Sequence, residues 1–324
     1  MKAVRVHEFG GPDVLRVDDV PQPTPGPGEI LVQVRGAGIN PYEGYQREGR
    51  YPNLPPRPFI LGGEGAGDVV AVGEGVTDWK VGDPVWGYLK GSHAEYALAA
   101  ADLVYPKPDR LEYHEAAGLT TVWVTSVLGL VTLAGMQRGD TVLVHGAAGG
   151  VGSAAVQLAH AWGGRVIGTV GSEAKAETAR ELGADVVVNY SQQDVETAVR
   201  EAAPHGVNIV FDGVGAPVFM PSVRNMAAGG CYILYGGHGG RTITFEAPEF
   251  YRRNLTLMGF SANSSPRVGE ARAAIRDKLV PLFADGTLRG VVARVFPLSQ
   301  AADAYRYLDS REAQGKVVLD PTLG

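Results

Sequence analysis

The amino-acid sequence predicts an α/β protein that combines a β-rich domain with a domain built on a doubly wound parallel sheet. Its length of 324 residues favours two domains, because single domains commonly hold about 100–200 residues. Up to about residue 115, short segments are separated by turns rich in glycine and proline, a pattern typical of β-structure. Beyond residue 115, β-branched strands alternate with helical segments, which indicates βαβ units.

The first region is expected to form a small β-barrel or sandwich. Residues 1–6 (MKAVRV), 15–20 (LRVDDV) and 29–36 (EILVQVRG) alternate apolar and polar side chains as strands do. The connector PQPTPGPGE consists largely of turn-forming residues, which separate the second of these strands from the third.

The second region opens with an uncharged stretch at 116–137, which in principle is long enough to cross a bilayer. Its glycines, its hydroxyl side chains and the lack of a flanking basic cluster favour a buried helix instead. We therefore expect no membrane partner.

Strands and helices then alternate, as in a doubly wound sheet. Strands are expected at 141–145, 165–170, 185–190, 208–214 and 231–236, with a helix over 218–230 before the last. Beyond residue 258 we expect a helix over about 268–284, the helix SQAADAYRYLDS and a closing strand GKVVLDP. The simplest architecture inserts the parallel-sheet domain into the β-rich one, which the C-terminal residues complete.

The composition limits the partners and the cellular setting. The net charge is −6 and the sequence has no long basic run, so we expect no nucleic-acid partner held through phosphate contacts. The single cysteine, Cys231, excludes an intramolecular disulfide and a four-cysteine zinc site. A secretory signal is not expected at the N-terminus, so the predicted location is cytoplasmic.

One segment predicts a dinucleotide-binding turn. In residues 147–152 (AAGGVG), a G-x-G-x-x-G pattern with alanine at its first position follows a strand and opens a helix. Gly149 lets the backbone approach a pyrophosphate, and Gly152 lets the helix pack closely on the strand. The N–H groups at the helix N-terminus then face the anion.

The end of the second strand of this domain predicts which dinucleotide binds. NAD-selective sites usually place an acidic residue there, whereas a 2′-phosphate needs donors and cations. Here the strand ends at Gly171, followed by Ser172 and Lys175, which can donate to a phosphate. Glu173 is the opposing signal, and a helix N-cap at Ser172 with a solvated Lys175 is the alternative interpretation. The pattern favours NADPH.

The sequence resembles the zinc-independent quinone oxidoreductases, of zeta-crystallin type, in the medium-chain dehydrogenase/reductase superfamily. The segments that carry the resemblance are GINPYEGYQREGRYP, VHGAAGGVG, SEAKAETARELGAD, FDGVG and SREAQGKVVL. It implies a GroES-like catalytic domain from residues 1–115 with 259–324, and a Rossmann domain at 116–258 with the cofactor in the cleft between. It also implies a homodimer, joined through the Rossmann sheets near strand 231–236.

The resemblance also implies site residues. The cofactor-binding residues are Gly171, Ser172, Lys175, Tyr190 and Arg311 at the 2′-phosphate, Gly149, Gly150 and Val151 at the pyrophosphate, and Asn40, Thr125, Tyr235, Gly236 and His238 at the nicotinamide. Tyr45 and Tyr51 fall where the family places aromatic residues beside the acceptor, and packing is their alternative role. Tyr51 is expected to stack on a quinone or to donate a proton.

No metal site is expected. The zinc enzymes of the superfamily use a cysteine near the GINP position and the histidine of a G-H-E motif. This chain has Asn40 and Gly63-Glu64 at those places, and Glu64 alone is a poor zinc site. Glu64 is expected to be a structural hydrogen-bonding residue.

Three functions follow from the resemblance. The first is NADPH-dependent reduction of quinones, which are electrophilic without a metal. The alternative within enzymes is reduction of activated C=C bonds in enals, enones or enoyl thioesters. An alternative of another class is an NADPH-binding, crystallin-like structural or RNA-binding protein.

Overall fold

The computed structural model describes residues 1–323, which form two units. The first consists of Met1–Thr121 together with the chain from Val280 onward, and the second spans Val122–Leu279. The strands are β1 (Lys2–Val6), β2 (Leu15–Asp19), β3 (Glu29–Gly38), β4 (Phe59–Ile60), β5 (Gly65–Val72), β6 (Pro84–Gly87), β7 (Tyr96–Ala100), β8 (Val104–Pro106), β9 (Thr141–His145), β10 (Arg165–Val170), β11 (Val186–Asn189), β12 (Val207–Asp212), β13 (Met226–Leu234), β14 (Thr256–Gly259), β15 (Val292–Pro297) and β16 (Lys316–Asp320). The α-helices are α1 (Pro41–Arg47), α2 (Tyr113–Ala117), α3 (Thr120–Ser126), α4 (Gly150–Ala161), α5 (Glu173–Glu181), α6 (Val195–Ala202), α7 (Ala216–Arg224), α8 (Ala247–Tyr251), α9 (Val268–Ala274), α10 (Val280–Asp285) and α11 (Ala301–Asp309). π-type helices span Val127–Leu133 and Ile275–Leu279, and 3₁₀ turns span Pro12–Val14, Ala101–Leu103 and Leu298–Gln300.

The first unit is β-rich, as the sequence predicts. β1 pairs with β2 and β4 in a small antiparallel sheet. The larger sheet has the order β15-β16-β3-β5-β6-β8, and β7 also pairs with β3. Along β3 the side chains of Ile30, Val32 and Val34 are buried in one core cluster, because alternate residues of a strand face the same side.

The strand register of this unit brings three distant chain segments together. Val318 of β16 lies opposite Gly38 of β3, and Ala37 of β3 lies opposite Gly65 of β5. The first residue of β16, the residue that precedes β5 and the residue that precedes α1 therefore meet at one place.

The second unit contains the predicted doubly wound parallel sheet. Its strand order is β11-β10-β9-β12-β13-β14, and all neighbouring pairs are parallel. When the strands are numbered within this unit, the order is 3-2-1-4-5-6. In sheets of this order, ligands bind at the carboxyl ends of the strands, at the point where the strand order reverses. Val142, Leu143 and Val144 of β9 are fully buried, as expected for a strand covered on both faces. The reversal point lies between β9 and β12.

The structure corrects the helix predicted over 218–230. That helix ends early, and Met226 begins β13, which pairs with β12. Gly229 has a φ of +77°, and two adjacent glycines carry a high cost in a helix. The strand predicted at 231–236 accordingly begins at Met226 and ends at Leu234. It is also an inner strand, because β14 lies outside it at the edge of the sheet, and the homodimer expected near strand 231–236 stays a prediction.

The uncharged stretch 116–137 is interrupted instead of forming the one buried helix predicted. A turn at Gly118 separates α2 from α3, and the π-type helix Val127–Leu133 follows. Within residues 1–323 no helix has the length and hydropathy needed to cross a bilayer. α9 packs against this π-type helix, so residues 268–279 lie in the second unit.

Candidate cofactor-binding and active site

The glycine-rich turn after β9 leads directly into α4. Gly149 is the N-cap residue of that helix, and Gly146 has a φ of +66°. A Cβ atom at Gly152 would overlap the carbonyl oxygen of Gly146, so only glycine fits where the helix meets the turn. The first N–H groups of a helix, here those of Gly150 and Val151, have no carbonyl acceptor within it and are suited to a pyrophosphate.

His145, the last residue of β9, connects three elements next to this turn. Its Nε2 lies 2.7 Å from Ser222 Oγ, and its Nδ1 lies 3.0 Å from Thr169 Oγ1. Because the Ser222 hydroxyl donates to the carbonyl oxygen of Val218 at 2.6 Å, His145 Nε2 must carry the hydrogen toward Ser222. Burial lowers the pKa of His145, so a neutral ring links β9, β10 and α7.

The predicted 2′-phosphate residues of the second unit lie at the ends of β10 and β11. A Cβ atom at Gly171 would overlap the Tyr190 hydroxyl, so the missing side chain lets this ring approach the backbone. The Ser191 hydroxyl donates to the carbonyl oxygen of Gly171 at 2.8 Å. Ser172 is the N-cap of α5, and its Oγ accepts from the Lys175 N–H at 3.4 Å. The Ser172 hydroxyl hydrogen is still available to a phosphate oxygen.

Glu173, the opposing signal for NADPH, forms an ion pair within α5. Its Oε1 lies 3.0 Å from Arg180 Nη1, two turns further along the helix. Both side chains are about half exposed, at 57% for Glu173 and 52% for Arg180, so solvent screens the pair. The contact nevertheless places the Arg180 guanidinium beside the Glu173 carboxylate, which offsets part of its negative charge.

The predicted nicotinamide residues after β13 are held against the loop after β12. The Tyr235 ring packs on the Phe211 ring with a centroid distance of 4.4 Å. His238 donates its backbone N–H to the carbonyl oxygen of Gly213 at 3.2 Å. A Cβ atom at Gly236 would lie only 2.8 Å from that same oxygen, which explains why glycine stands there.

Asp212 fixes the loop that these residues contact. Its carboxylate accepts the backbone N–H groups of Val214 at 2.6 Å and Gly215 at 3.2 and 3.1 Å, and the Tyr232 hydroxyl at 2.8 Å. Thr125 is buried in α3 of the same unit. The bonds to Asp212 satisfy its fully buried carboxylate and hold the carboxyl end of β12 rigid.

In the first unit, Asn40 belongs to a buried polar network. Its Nδ2 donates to Glu64 Oε1 at 2.8 Å, and the Lys316 ammonium donates to its Oδ1 at 2.7 Å. Lys316 also donates to Glu64 Oε1 at 2.8 Å and to the carbonyl oxygen of Ile39 at 2.7 Å. The second oxygen of Glu64 accepts the Thr121 N–H at 2.7 Å. A buried cation and a buried anion are thus paired and hydrogen-bonded.

A second buried carboxylate lies on α1. Glu43 accepts the N–H of Asn40 at 2.9 Å and of Gly63 at 3.2 Å, and the Tyr305 hydroxyl at 3.2 Å. Burial raises the pKa of Glu43 to about 7. The fully buried His93 places its Nε2 3.7 Å from Glu43 Oε2, and burial lowers the pKa of His93 to about 3.

The tyrosines predicted beside the acceptor lie on and after α1. The Arg50 guanidinium lies over the Tyr45 ring at 5.0 Å from its centroid. The Tyr51 ring packs against Tyr42 with a centroid distance of 5.8 Å. Arg311, predicted at the 2′-phosphate, lies in the first unit between α11 and β16 with a φ of +63°.

Known proteins match this chain over nearly its whole length. The family model "Zinc-binding dehydrogenase" matches residues 150–277, and "Alcohol dehydrogenase GroES-like domain" matches residues 26–109. The quinone oxidoreductase of Sus scrofa is 33% identical, with 98% of this chain and 97% of that protein covered. The chain belongs to the quinone oxidoreductases of the medium-chain dehydrogenase/reductase superfamily. The resemblance and the fold class predicted from the sequence are thereby confirmed.

Two further proteins are similar to this chain over nearly its whole length. The Escherichia coli quinone oxidoreductase, solved in complex with NADPH, superposes with a TM-score of 0.90 at 30% identity, covering 99% of this chain and all of that one. The 2-haloacrylate reductase of Burkholderia sp. is 33% identical, with 98% of each chain covered.

The zinc that the first family model implies does not fit the residues of this chain. Among residues 1–323 no group of three or more His, Cys, Asp and Glu side chains is arranged to hold a metal. Glu64 already pairs with the Lys316 ammonium at 2.8 Å, and the neighbouring Asn40 offers an amide instead of a thiolate. A zinc ion requires at least three suitable ligands from the protein.

Several residues of this site were missed at the level of sequence. Tyr42 lies in the same PYEGYQ segment as Tyr45. Its position at the start of a helix was the one sequence feature that could have marked it as a site residue. Lys316 lies in the quoted GKVVL segment, but its partners Asn40 and Glu64 are 276 and 252 residues away in sequence. No local pattern reports such a contact.

Proposed function

We propose that this chain is an NADPH-dependent reductase of quinones that works without a metal. The observation that carries the proposal is the 2′-phosphate end of the dinucleotide site. There Gly171 replaces the acidic residue of NAD-selective sites, and Tyr190 packs on it. The quinone oxidoreductases among its relatives, one of them solved with NADPH, support the same activity.

Lys175 and Ser172 are proposed to bind the 2′-phosphate at the start of α5. A phosphate at this place would accept the Ser172 hydroxyl and pair with the Lys175 ammonium, and Arg311 is proposed to join them. A helix N-terminus adds a favourable potential for the anion. The pyrophosphate is proposed to lie on Gly149, Gly150 and Val151, at the N-terminus of α4.

The remaining predicted residues are proposed to enclose the nicotinamide and the acceptor. Asn40, Thr125, Tyr235, Gly236 and His238 orient the nicotinamide ring, which supplies the hydride when the cofactor is bound. Tyr51 is proposed to stack on the quinone or to donate a proton to its oxygen, with Tyr45 beside it. A quinone gains aromaticity on reduction, so it needs little acid catalysis and no Lewis acid.

A second candidate function is reduction of activated C=C bonds. The relative named 2-haloacrylate reductase, at 33% identity over the full chain, supports it. The same hydride donor and the same residues would serve both acceptors, so the products decide between them. An NADPH-binding structural or RNA-binding role is the alternative from another class, and NADPH turnover with either acceptor would exclude it as the main function.

We further propose a cytoplasmic homodimer. β14 is the edge strand of the parallel sheet, and its Leu257 is 39% exposed, while Tyr251, the last residue of α8, is 63% exposed. An edge strand with apolar side chains is a ready template for pairing with a second copy. The single Cys231 is compatible with a reducing compartment.

The deciding experiment is an acceptor panel with purified protein. We expect NADPH oxidation with benzoquinones and naphthoquinones, slower turnover with enones, and far weaker activity with NADH. Product analysis identifies the reduced bond. Full activity after exhaustive chelation is expected, whereas turnover of enones alone would replace the main function with the second candidate.

Lys175→Glu tests the phosphate pocket. Reversing this charge should weaken NADPH binding by about 10–100-fold, because a charge-assisted hydrogen bond is replaced by repulsion, while NADH binding should change little. Dissociation constants from cofactor fluorescence measure both, and Lys80→Glu on the first unit is the control. Equal affinities of the parent for the two cofactors would contradict the pocket.

Tyr51→Phe tests the acceptor side. If Tyr51 stacks on the quinone, the phenyl ring should leave kcat and KM nearly unchanged. If its hydroxyl donates a proton, kcat should fall by about 10-fold or more at an unchanged dissociation constant for NADPH. Tyr51→Ala separates stacking from packing, since it should raise the quinone KM only if the ring contacts the acceptor.

A further inference from the structure

The Lys316 ammonium has no hydrogen left for another ligand. An ammonium carries three hydrogens, and Lys316 directs them to the Ile39 carbonyl oxygen at 2.7 Å, Asn40 Oδ1 at 2.7 Å and Glu64 Oε1 at 2.8 Å. Only 7% of its side chain is exposed, and none of Glu64. The Lys316 ammonium therefore has no hydrogen to donate to a cofactor or a substrate.

The network leaves one orientation for the Asn40 carboxamide. A carboxamide has an oxygen that only accepts and a nitrogen that only donates. Lys316 can only donate, so it must face Oδ1, and the Glu64 carboxylate must face Nδ2, at 2.8 Å. A rotation by 180° would set the Lys316 ammonium against the Asn40 NH₂ group and leave the Glu64 contact without a hydrogen. One Nδ2 hydrogen remains for another partner.

Both ends of this arrangement are anchored. The Asn40 backbone N–H is bound by Glu43 at 2.9 Å, and Glu64 is held by the Thr121 N–H at 2.7 Å. Lys316 is the first residue of β16, whose antiparallel register with β3 brings it beside Asn40. The carboxamide is therefore preorganised: its backbone is held from α1, and its side chain from β16 and from the residue that precedes β5.

We propose that Lys316 is a positioning residue that acts through Asn40. It fixes the rotation of the carboxamide, so that the remaining Nδ2–H has a single direction toward the nicotinamide or the acceptor. The proposal rests on the proposed function, in which Asn40 contacts the nicotinamide. Holding a polar group in one geometry before the ligand arrives spares the reorganisation cost during the reaction.

The test is a double-mutant cycle in kcat between the charged pair and Asn40. Lys316→Met alone would leave Glu64 as a buried unpaired charge, so the cycle uses Glu64→Gln/Lys316→Met, which removes both charges and is compatible with folding. The effect of this double substitution on kcat is measured once in the parent protein and once in the Asn40→Ala variant. Lys80→Met, which breaks an exposed ion pair with Asp83 at 2.7 Å, is the control and should leave kcat unchanged.

We expect the neutral pair to lower kcat by about 10–100-fold in the parent, since small misplacements at a reacting centre have effects of that size. In the Asn40→Ala background the same pair should lower kcat by less than about twofold. The melting temperature should fall more in the parent, where the pair also loses its hydrogen bonds with Asn40, than in the Asn40→Ala background. Equal losses of kcat in both, or full activity of Asn40→Ala, would overturn the proposal.

The two proposals fail in different ways. A parent protein that reduces neither quinones nor enones contradicts the proposed function, and the cycle is then measured on the dissociation constant of NADPH. A parent that reduces quinones while the cycle shows no coupling contradicts only the role of Lys316.

Discussion

The proposed cofactor-binding residues of the first unit and those of the second differ in how far their charged neighbours are buried. In the first unit, Glu64 and Lys316 are buried beside Asn40, with hydrogen bonds to both Glu64 oxygens and from all three Lys316 ammonium hydrogens. In the second unit, Tyr190 is 58% exposed, and the ion pair of Glu173 with Arg180 lies in solvent. Buried groups fix one geometry and are costly to disturb, whereas exposed ones can adjust. The difference predicts where substitutions unfold the protein and where they change only ligand affinity.

Two lysines give the largest expected contrast. Lys316→Met should lower the free energy of unfolding by about 3–5 kcal/mol, because it leaves Glu64 buried and unpaired. Lys175→Met should change it by less than about 1 kcal/mol, because Lys175 is only partly buried and lies beside the exposed Ser172 and Glu173 at the start of α5. Urea denaturation measures both. Similar losses for the two lysines would remove this contrast between the two units.

The sequence predicts those parts of the site whose contacts join residues close together in the chain, and it misses those whose contacts join distant residues. The turn at Gly149 and Gly152, the strands on either side of it and the N-cap at Ser172 follow from local patterns, and the structure contains them. The network of Lys316 follows from strand register over more than 250 residues, which no window of sequence contains. The helix predicted over 218–230 was wrong because pairing with β12 outweighed the local pattern.

His93, a fully buried residue of the first unit, is expected to make the free energy of unfolding depend on pH. Its pKa is lowered to about 3 by burial, whereas the unfolded chain binds that proton near pH 6.5. The contribution of His93 to stability is therefore complete above pH 6.5 and is lost as the pH falls toward 3, by about 1.4 kcal/mol per pH unit. His93→Gln should lower the slope of unfolding free energy against pH by about this amount, whatever slope the other groups contribute.

The measurement is the free energy of unfolding in urea between pH 6.5 and 5, compared between parent and variant. His205→Gln, which replaces an exposed ring, is the control and should keep the parent slope. Glu43 acts in the opposite direction. Because its pKa is raised to about 7, its contribution is present below pH 4.5 and is lost as the pH rises through 7. An unchanged slope in His93→Gln would show that the ring is protonated in the folded protein.

The smallest effect is expected from Arg180→Gln, in the second unit. This change releases Glu173 beside the proposed 2′-phosphate pocket, and repulsion between two exposed anions should raise the dissociation constant of NADPH by about two- to threefold, less at high salt. NADH lacks the 2′-phosphate and should bind almost unchanged. Glu173→Gln/Arg180→Gln, which keeps the parent's net charge, should restore the preference, and Arg200→Gln, which breaks the exposed pair with Glu196 on α6, should not alter it. If NADPH and NADH weaken equally, Glu173 is not close enough to the phosphate to influence the choice of cofactor.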